Sequence, residues 1–488
     1  MNTAGPGISA MSVYVPAYRV DLEQWCQWTD SPWPKIEAVT GRSFRMTGPD
    51  ENVYTMAATA VLRLIEQYDL DPEQVGMLAL GTESSTDNSA GAVIVRGMVD
   101  QRLEALGRPR LSRQCEVPEV KHACLGGLYA LKSALRYVAT DGADRIAIVV
   151  SADIAEYERG SSGEPTQGAG AVAMLVERSA EMLEVDLQRA GSASAYRGPD
   201  FRKPRARHFH QNYTHETRRP HDFPVFSGKY STFAYLDETV AAVDDFARRS
   251  EASPERLFRD AAALFFHRPY RMMPLSATAF LAVRNHVREG REIDAISKIC
   301  ASIDVSVDQL REESELTPDL FARLNEGDIS HPYPSTAAVA SAFRKSDKFT
   351  EFVAEKMTLG AEVMMDVGNL YTAALPAWLA AGLEQAAAEG RDLTGETVLG
   401  IGYGSGDAAE AWPMRLVPGW EEAAQKIGAG RALEGAHDLS REQYEHLHDS
   451  GQLDYPRTTS GFFAIERVGE RHEASFQDLG VEYYSFVG

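Results

Sequence analysis

The sequence predicts an α/β fold with parallel strand pairing, built from two similar halves. Three observations carry this reading. Short apolar runs alternate with longer stretches of helical periodicity in the N-terminal part. The same order of runs returns in the second part of the chain. Glycines stand where the helices have to stop.

The elements follow in order. Residues 56–68 have the spacing of an amphipathic helix, and Met77-Leu78-Ala79-Leu80-Gly81 reads as a short buried strand. In residues 125–138, Leu128, Leu131, Leu135 and Val138 recur at helical spacing, and Gly142 is placed to end that helix. Residues 145–150 and 169–176 are β-rich runs. In the second half, Leu264-Phe265-Phe266 leads into His267 as Leu78-Ala79-Leu80 leads towards Glu83. Asn369 opens a helix over 370–388 as Cys124 opens the earlier one, and Gly390 stops it. Residues 397–403 then match the 145–150 run, and 413–417 match the 169 run. Self-similarity at this distance implies a duplicated α/β unit rather than a solenoid. The expected organisation is a first half over 1–185, a basic insert or linker over 186–222, and a second half over 223–488. A polar helical insertion is expected at 421–454, ahead of a β-rich stretch at 461–468.

Composition narrows the class. With 44% hydrophobic and 25% charged residues, a chain of 488 residues is a soluble globular protein with a sizeable core. A net charge of −22 argues against nucleic acid or an anionic membrane as a general partner. Residues 1–20 lack a basic region followed by an apolar core, and no run is long enough to span a bilayer, so a cytoplasmic location is expected. Four cysteines without a CxxC pair do not make a disulfide framework. Cys26, Cys115 and Cys300 read as structural thiols.

One stretch opposes the overall charge. Residues 190–219 hold Arg197, Arg202, Lys203, Arg205, Arg207, Arg218 and Arg219, with Tyr196, Phe201, Phe209 and Tyr213 between them. A solvated loop and a docking site for the phosphates of coenzyme A or of a phosphopantetheinyl carrier protein both fit it. His208, His210, His215 and His221 lack the carboxylate or cysteine spacing of a metal site, and no metal is expected. Gly168-Ala169-Gly170-Ala171-Val172-Ala173 fits GxGxxA, but the glycines run into a strand rather than a helix, so the dinucleotide reading fails.

Four residues could carry chemistry. Cys124, in Lys121-His122-Ala123-Cys124-Leu125-Gly126-Gly127, stands just before a helix. Unpaired N–H groups and the helix dipole there lower a thiol pKa, and the paired glycines let a substrate arm approach. A buried structural cysteine is the competing reading. His267, just past a strand end, faces a cleft as a hydrogen-bond donor or proton shuttle, or caps the core edge. Glu83, at the end of another buried strand, is a general base or a solvated cap. Asn369 caps a helix or binds a carbonyl.

Taken together, these residues stand in a telling order. A strand-end Glu83 is followed by a helix-start Cys124 and by Ser151-Ala152-Asp153-Ile154-Ala155-Glu156-Tyr157. Then come Glu164-Pro165-Thr166-Gln167, Gly228-Lys229-Tyr230-Ser231, His267-Arg268-Pro269-Tyr270, Gly368-Asn369-Leu370-Tyr371-Thr372 and Gly402-Tyr403-Gly404-Ser405-Gly406. Over nearly the whole chain this series resembles the 3-hydroxy-3-methylglutaryl-coenzyme A synthase family. The resemblance implies a thiolase fold with duplicated α/β halves in a layered α-β-α-β-α arrangement, and a homodimer. It implies that Cys124 is acetylated, that Glu83 deprotonates the acetyl methyl group, and that His267 holds the acceptor carbonyl. It places Asn369, Ser405, Tyr157, Thr166, Ser231 and Tyr371 at substrate contacts. Acetyl-CoA and acetoacetyl-CoA are the implied substrates, with no tightly bound cofactor. A β-ketoacyl carrier protein, as in polyketide β-branching, is the alternative. It arises because Met272 and Met273 stand where the family has lysines, leaving Arg268 and Arg271 to meet the coenzyme A phosphates. A catalytically silent subunit of the same fold is a third reading, opposed by the presence of Cys124, Glu83 and His267 together.

Overall fold

The computed structural model describes residues 4–203, 223–225, 227–290, 294–454 and 459–488. One sheet of ten strands organises them. In its N-terminal half, Gly7–Tyr14 pairs antiparallel with Gly168–Glu177, which pairs antiparallel with Ile146–Ala155, which pairs parallel with Val75–Gly81. In its C-terminal half, Gly191–Ser194 pairs antiparallel with Ala408–Leu416, which pairs antiparallel with Thr397–Gly404, which pairs parallel with Ala263–Phe266. Order and sense are the same, so the duplication read from the run order holds. The strand Leu183–Val185 joins the halves, pairing with Gly7 and Ile8 on one side and with Met414 to Leu416 on the other.

The apolar runs are continuous because their strands are covered on both faces. Leu78, Leu80, Ile148 and Val150 enter one core with the helices Val53–Gln67 and Gly91–Ala105. Their neighbours Met77, Ala79, Ala147 and Val149 point the other way, into the core around the helices Gly126–Ala139 and Ala374–Ala388. These two helices are the equivalent elements of the halves. Further helices, including Lys229–Arg249 and Met272–Arg288, cover the C-terminal half.

Three boundaries differ from expectation. Gly191–Ser194 lies inside the range expected to be a linker, yet it is the first strand of the second half. The expected helical stretch at 421–454 holds only the short α-helices Trp420–Ala424 and Arg441–Ser450 and the 3₁₀ turn Arg431–Leu433. The larger helical excursion runs from Asp294–Ser302 to Asp347–Lys356, and it went unread because its helices are short, at ten residues or fewer. Too few turns repeat in each for periodicity to register. The rejected dinucleotide motif is the strand Gly168–Glu177, as expected. Among the described residues, no helix is long and apolar enough to cross a membrane.

Candidate active site

The site lies where the equivalent strands of both halves end. Cys124 is half-buried on the turn between Glu119–Val120 and the helix Gly126–Ala139, and Ala123 before it takes a left-handed φ of 39°. The paired glycines have a different role from the one expected. A Cβ on Gly126 would stand 2.8 Å from the Val120 O, and one on Gly127 would stand 2.1 Å from the Ser151 Oγ. They seat the helix on the sheet and so carry the cysteine in close, rather than making room for a substrate arm.

Glu83 follows the strand Val75–Gly81, and the Cys124 thiol donates to its Oε2 across 3.8 Å. The turn that holds it is fastened by Asp153, a fully buried carboxylate at the far end of Ile146–Ala155. Asp153 Oδ1 accepts from Thr82 Oγ1 at 2.9 Å, Glu83 N at 2.8 Å, Ser84 N at 3.0 Å and Ser84 Oγ at 2.7 Å. Its Oδ2 accepts from Thr372 N at 3.0 Å and Thr372 Oγ1 at 2.6 Å, which ties the two halves together. Burial, and then the Asp153 charge, push the Glu83 carboxyl up to about 8, against the pull of Lys203, the Cys124 thiol and Lys121.

The helix-start argument for a ready thiolate fails here. Burial raises the Cys124 thiol well above its ordinary value, and the Glu83 and Asp153 charges add to the rise. Desolvation beside two carboxylates outweighs the helix N-terminus. The resting thiol is therefore protonated.

His267 follows Ala263–Phe266. Its N–H donates to Ile401 O at 2.7 Å, and its carbonyl accepts from Tyr235 OH at 3.0 Å. The residue is 3% exposed, and burial pushes the imidazole down to about 3, so it is neutral. The Tyr235 and Tyr403 rings flank it, with centroids 6.5 and 6.2 Å away.

Asn369 opens a single 3₁₀ turn, Tyr371–Ala373, before the α-helix starts at Ala374. Its Oδ1 accepts from Tyr371 N at 2.9 Å and its Nδ2 donates to Tyr157 OH at 3.3 Å. Gly168 and Gly368 bridge the two loops here, where a Cβ on Gly368 would lie 1.7 Å from Gln167 O. The helix Arg441–Ser450 fastens the Tyr157 wall from outside, with His448 Nε2 donating to Tyr157 O at 2.9 Å and Tyr444 OH donating to Glu164 at 2.6 Å.

Cys124, His267, Asn369, Tyr157, Thr166, Ser231, Tyr371 and Ser405 line one cavity of about 80 Å³, and Glu83 reaches it through the cysteine. Arg268 does not line it. Its guanidinium donates to Ala361 O at 3.4 Å and lies over the Trp378 ring, 4% exposed, and burial pushes it down to about 10. The apolar strand end that delivers His267 to the cavity turns the next side chain into the core. Arg271 is exposed at the start of Met272–Arg288. In the basic stretch, Arg197 is buried on Asp237 and Glu238 at 2.5 and 2.8 Å, while Arg202 and Lys203 are exposed. Residues 204–222, including its other arginines and the four histidines, lie outside the described residues. Among the described residues, no group of three or more His, Cys, Asp or Glu is arranged to hold a metal ion.

Sequence reasoning gave no role to Asp153, Asp200, Tyr235, Tyr403 or Asp407. A carboxylate within the apolar run Ile146–Ala155 was a readable signal for Asp153. Asp200, inside the basic stretch, offered none.

The Hydroxymethylglutaryl-coenzyme A synthase N-terminal family model matches residues 3–181, and the C-terminal one matches 202–449. The chain is 28% identical over 403 residues to the hydroxymethylglutaryl-CoA synthase of Haloferax volcanii, covering 82% of this chain and 80% of that protein. It is 28% identical over 444 residues to that of Enterococcus faecalis, covering 90% and 91%. Among solved structures, MvaS in complex with 3-hydroxy-3-methylglutaryl coenzyme A superposes with a TM-score of 0.73 at 26% identity, covering both chains fully at 100%. The curacin-pathway HMG synthase in complex with an acetyl donor carrier protein superposes with a TM-score of 0.71 at 21% identity, covering 99% of this chain and 100% of that one, a likeness of fold.

Proposed function

The chain belongs to the hydroxymethylglutaryl-coenzyme A synthase family of acyl-transferring condensing enzymes, and we propose that it adds a Cys124-bound acetyl group to the ketone of acetoacetyl-CoA. One observation carries the reading: the Cys124 thiol meets Glu83 at 3.8 Å on a cavity that His267 also lines.

Acetyl transfer from acetyl-CoA makes the Cys124 thioester, and the thiol proton leaves with the coenzyme A sulfur. Glu83, as carboxylate, takes a proton from the acetyl methyl group. The resulting carbanion bonds to the ketone carbon of the acceptor, whose carbonyl pair becomes an alkoxide. Neutral His267 serves that oxygen as a hydrogen-bond donor from a buried position. The alkoxide takes up one proton, and water hydrolyses the thioester to free Cys124. Asn369, Tyr157, Tyr371, Thr166, Ser231 and Ser405 hold the substrates.

A β-ketoacyl carrier protein as acceptor is the second reading. The burial of Arg268 favours it, because that removes one of the two cations expected at the coenzyme A phosphates. We place the enzyme in the cytoplasm as a homodimer. Four free cysteines suit a reducing compartment. The strand Glu119–Val120, at the sheet edge beside Cys124, offers a second copy a pairing edge.

The test is intact-protein mass spectrometry after incubation with acetyl-CoA. Wild type gains one acetyl group and Cys124→Ser gains none. No uptake from either coenzyme A or carrier protein would remove Cys124 as the nucleophile. Comparing kcat/KM for acetoacetyl-CoA and acetoacetyl-carrier protein decides the acceptor.

A further inference from the structure

Behind the His267 side of the cavity lies a second pair of carboxylates that the chemistry above does not use. Asp200 is 1% exposed and Asp407 is 3% exposed. Asp407 stands on the turn between Thr397–Gly404 and Ala408–Leu416, held by Asp407 N donating to Ala195 O at 2.9 Å. Among the described residues, both hydroxyls that face Asp200 come from the cavity wall. Ser231 Oγ donates to its Oδ1, and Tyr403 OH donates to its Oδ2 at 3.3 Å.

The two carboxyls meet each other, and Tyr403 touches both. Among the described residues, Asp407 Oδ2 is buried with no hydrogen-bond donor. Among the described residues, the cation beside it is Arg197, whose Nε lies 3.9 Å away. That guanidinium already serves Asp237 at 2.5 Å and Glu238 at 2.8 Å from the helix Lys229–Arg249. Tyr333 donates to Asp237, and Tyr230 donates to the Arg197 carbonyl. One guanidinium thus faces three acidic side chains, with Asp200 behind them. Two ionised carboxylates in contact here would be left short of both charge and donors. A single proton between them supplies the missing donor.

We propose, resting on the acceptor reading of this cavity, that Asp407 and Asp200 share one proton and act as positioning residues for the acceptor wall. They hold Ser231 and Tyr403 in the wall that His267 shares, and losing the proton loosens that wall and weakens acceptor binding. Burial and the Asp200 charge push the Asp407 carboxyl well above the usual carboxylate range. The proton is therefore held at pH 7 and lost as the pH rises.

The test separates acceptor binding from Cys124 loading. The acceptor KM of wild type rises by about tenfold between pH 7 and pH 9, one proton's worth of linkage, while acetyl uptake by Cys124 shows no matching loss. Asp407→Asn keeps a donor against Asp200 but cannot ionise, so its KM stays flat across that range. A second readout needs no turnover. In Glu83→Gln, an infrared band of a protonated carboxyl is present at pH 7, disappears over the same pH range as the KM rise, and is absent once Asp407→Asn is added. A wild-type KM that is flat from pH 7 to 9, an equal rise in Asp407→Asn, or the absence of that band at pH 7 overturns the proposal. Absence of acetyl uptake would instead count against the Cys124 chemistry, and the infrared titration still decides the carboxyl pair.

Discussion

Glu83 and His267 occupy equivalent places, each just past the end of an equivalent strand in the two halves. Their surroundings differ. The Glu83 turn is fixed by a buried carboxylate that gathers six hydrogen bonds from Thr82, Glu83, Ser84 and Thr372. His267 is fixed by its backbone and by two tyrosine rings, and its Nδ1 has no partner among the described residues. Desolvation acts on both in the direction of neutrality, raising the acid to about 8 and lowering the base to about 3. The duplicated scaffold supplies two positions at one cleft. The local shell then makes one a base near its working pH and the other a donor that does not titrate there.

Removing the chemistry from one side of this comparison gives the largest effect. Glu83→Ala is expected to take up acetyl but to lose condensation by roughly 10²–10⁴-fold. Condensation retained within a factor of a few would end the general-base assignment. On the other side, His267→Ala is expected to cost condensation about 10²-fold, as loss of one oxyanion donor does, with acetyl uptake little changed. Loss of uptake in this variant would move His267 to the first half-reaction.

The comparison sharpens at the hub. Asp153→Ala strands the buried donors of both halves and is expected to cost about 3–5 kcal/mol of stability, read by denaturant unfolding. A loss below about 1 kcal/mol would mean that the Thr82 to Ser84 turn holds itself. The pH profile is a gentler probe. Because Glu83 works as the carboxylate, condensation is expected to rise with pH through about 8, with no His267 limb between pH 5 and 8. Stability runs the other way. The folded state holds the Glu83 proton more tightly than the unfolded chain, so the stability tied to it is full below about 4.5 and is lost as pH rises through about 8. The smallest effect is expected at Arg268→Met, which lowers the melting temperature but changes the KM for acetoacetyl-CoA by less than about twofold, since its stem and guanidinium sit in the core. A tenfold rise in KM would return Arg268 to the phosphates.

Much of this was readable before folding. The order of the runs around residues 78, 148, 264 and 399 gave the duplicated sheet, because a strand buried on both faces needs a continuous apolar run whatever surrounds it. Glu83, Cys124, His267 and Asn369 were legible as residues at element ends, since strand and helix termini are set by local patterning. Asp153 was visible as an odd charge but not as a hub, because its four partner residues come from two loops far apart in sequence.

What the chain alone fixed was therefore the sequence of elements and which side chains stand at their ends. Assembly of the fold decided what those side chains are. The Cys124 thiol is protonated rather than ionised, the paired glycines seat a helix rather than admit a substrate, and Arg268 fills the core rather than meeting a phosphate. Periodicity is a property of neighbours along the chain, whereas desolvation and hydrogen-bond partners are properties of neighbours in space. Charge state depends on the second kind, and only packing brings those neighbours together.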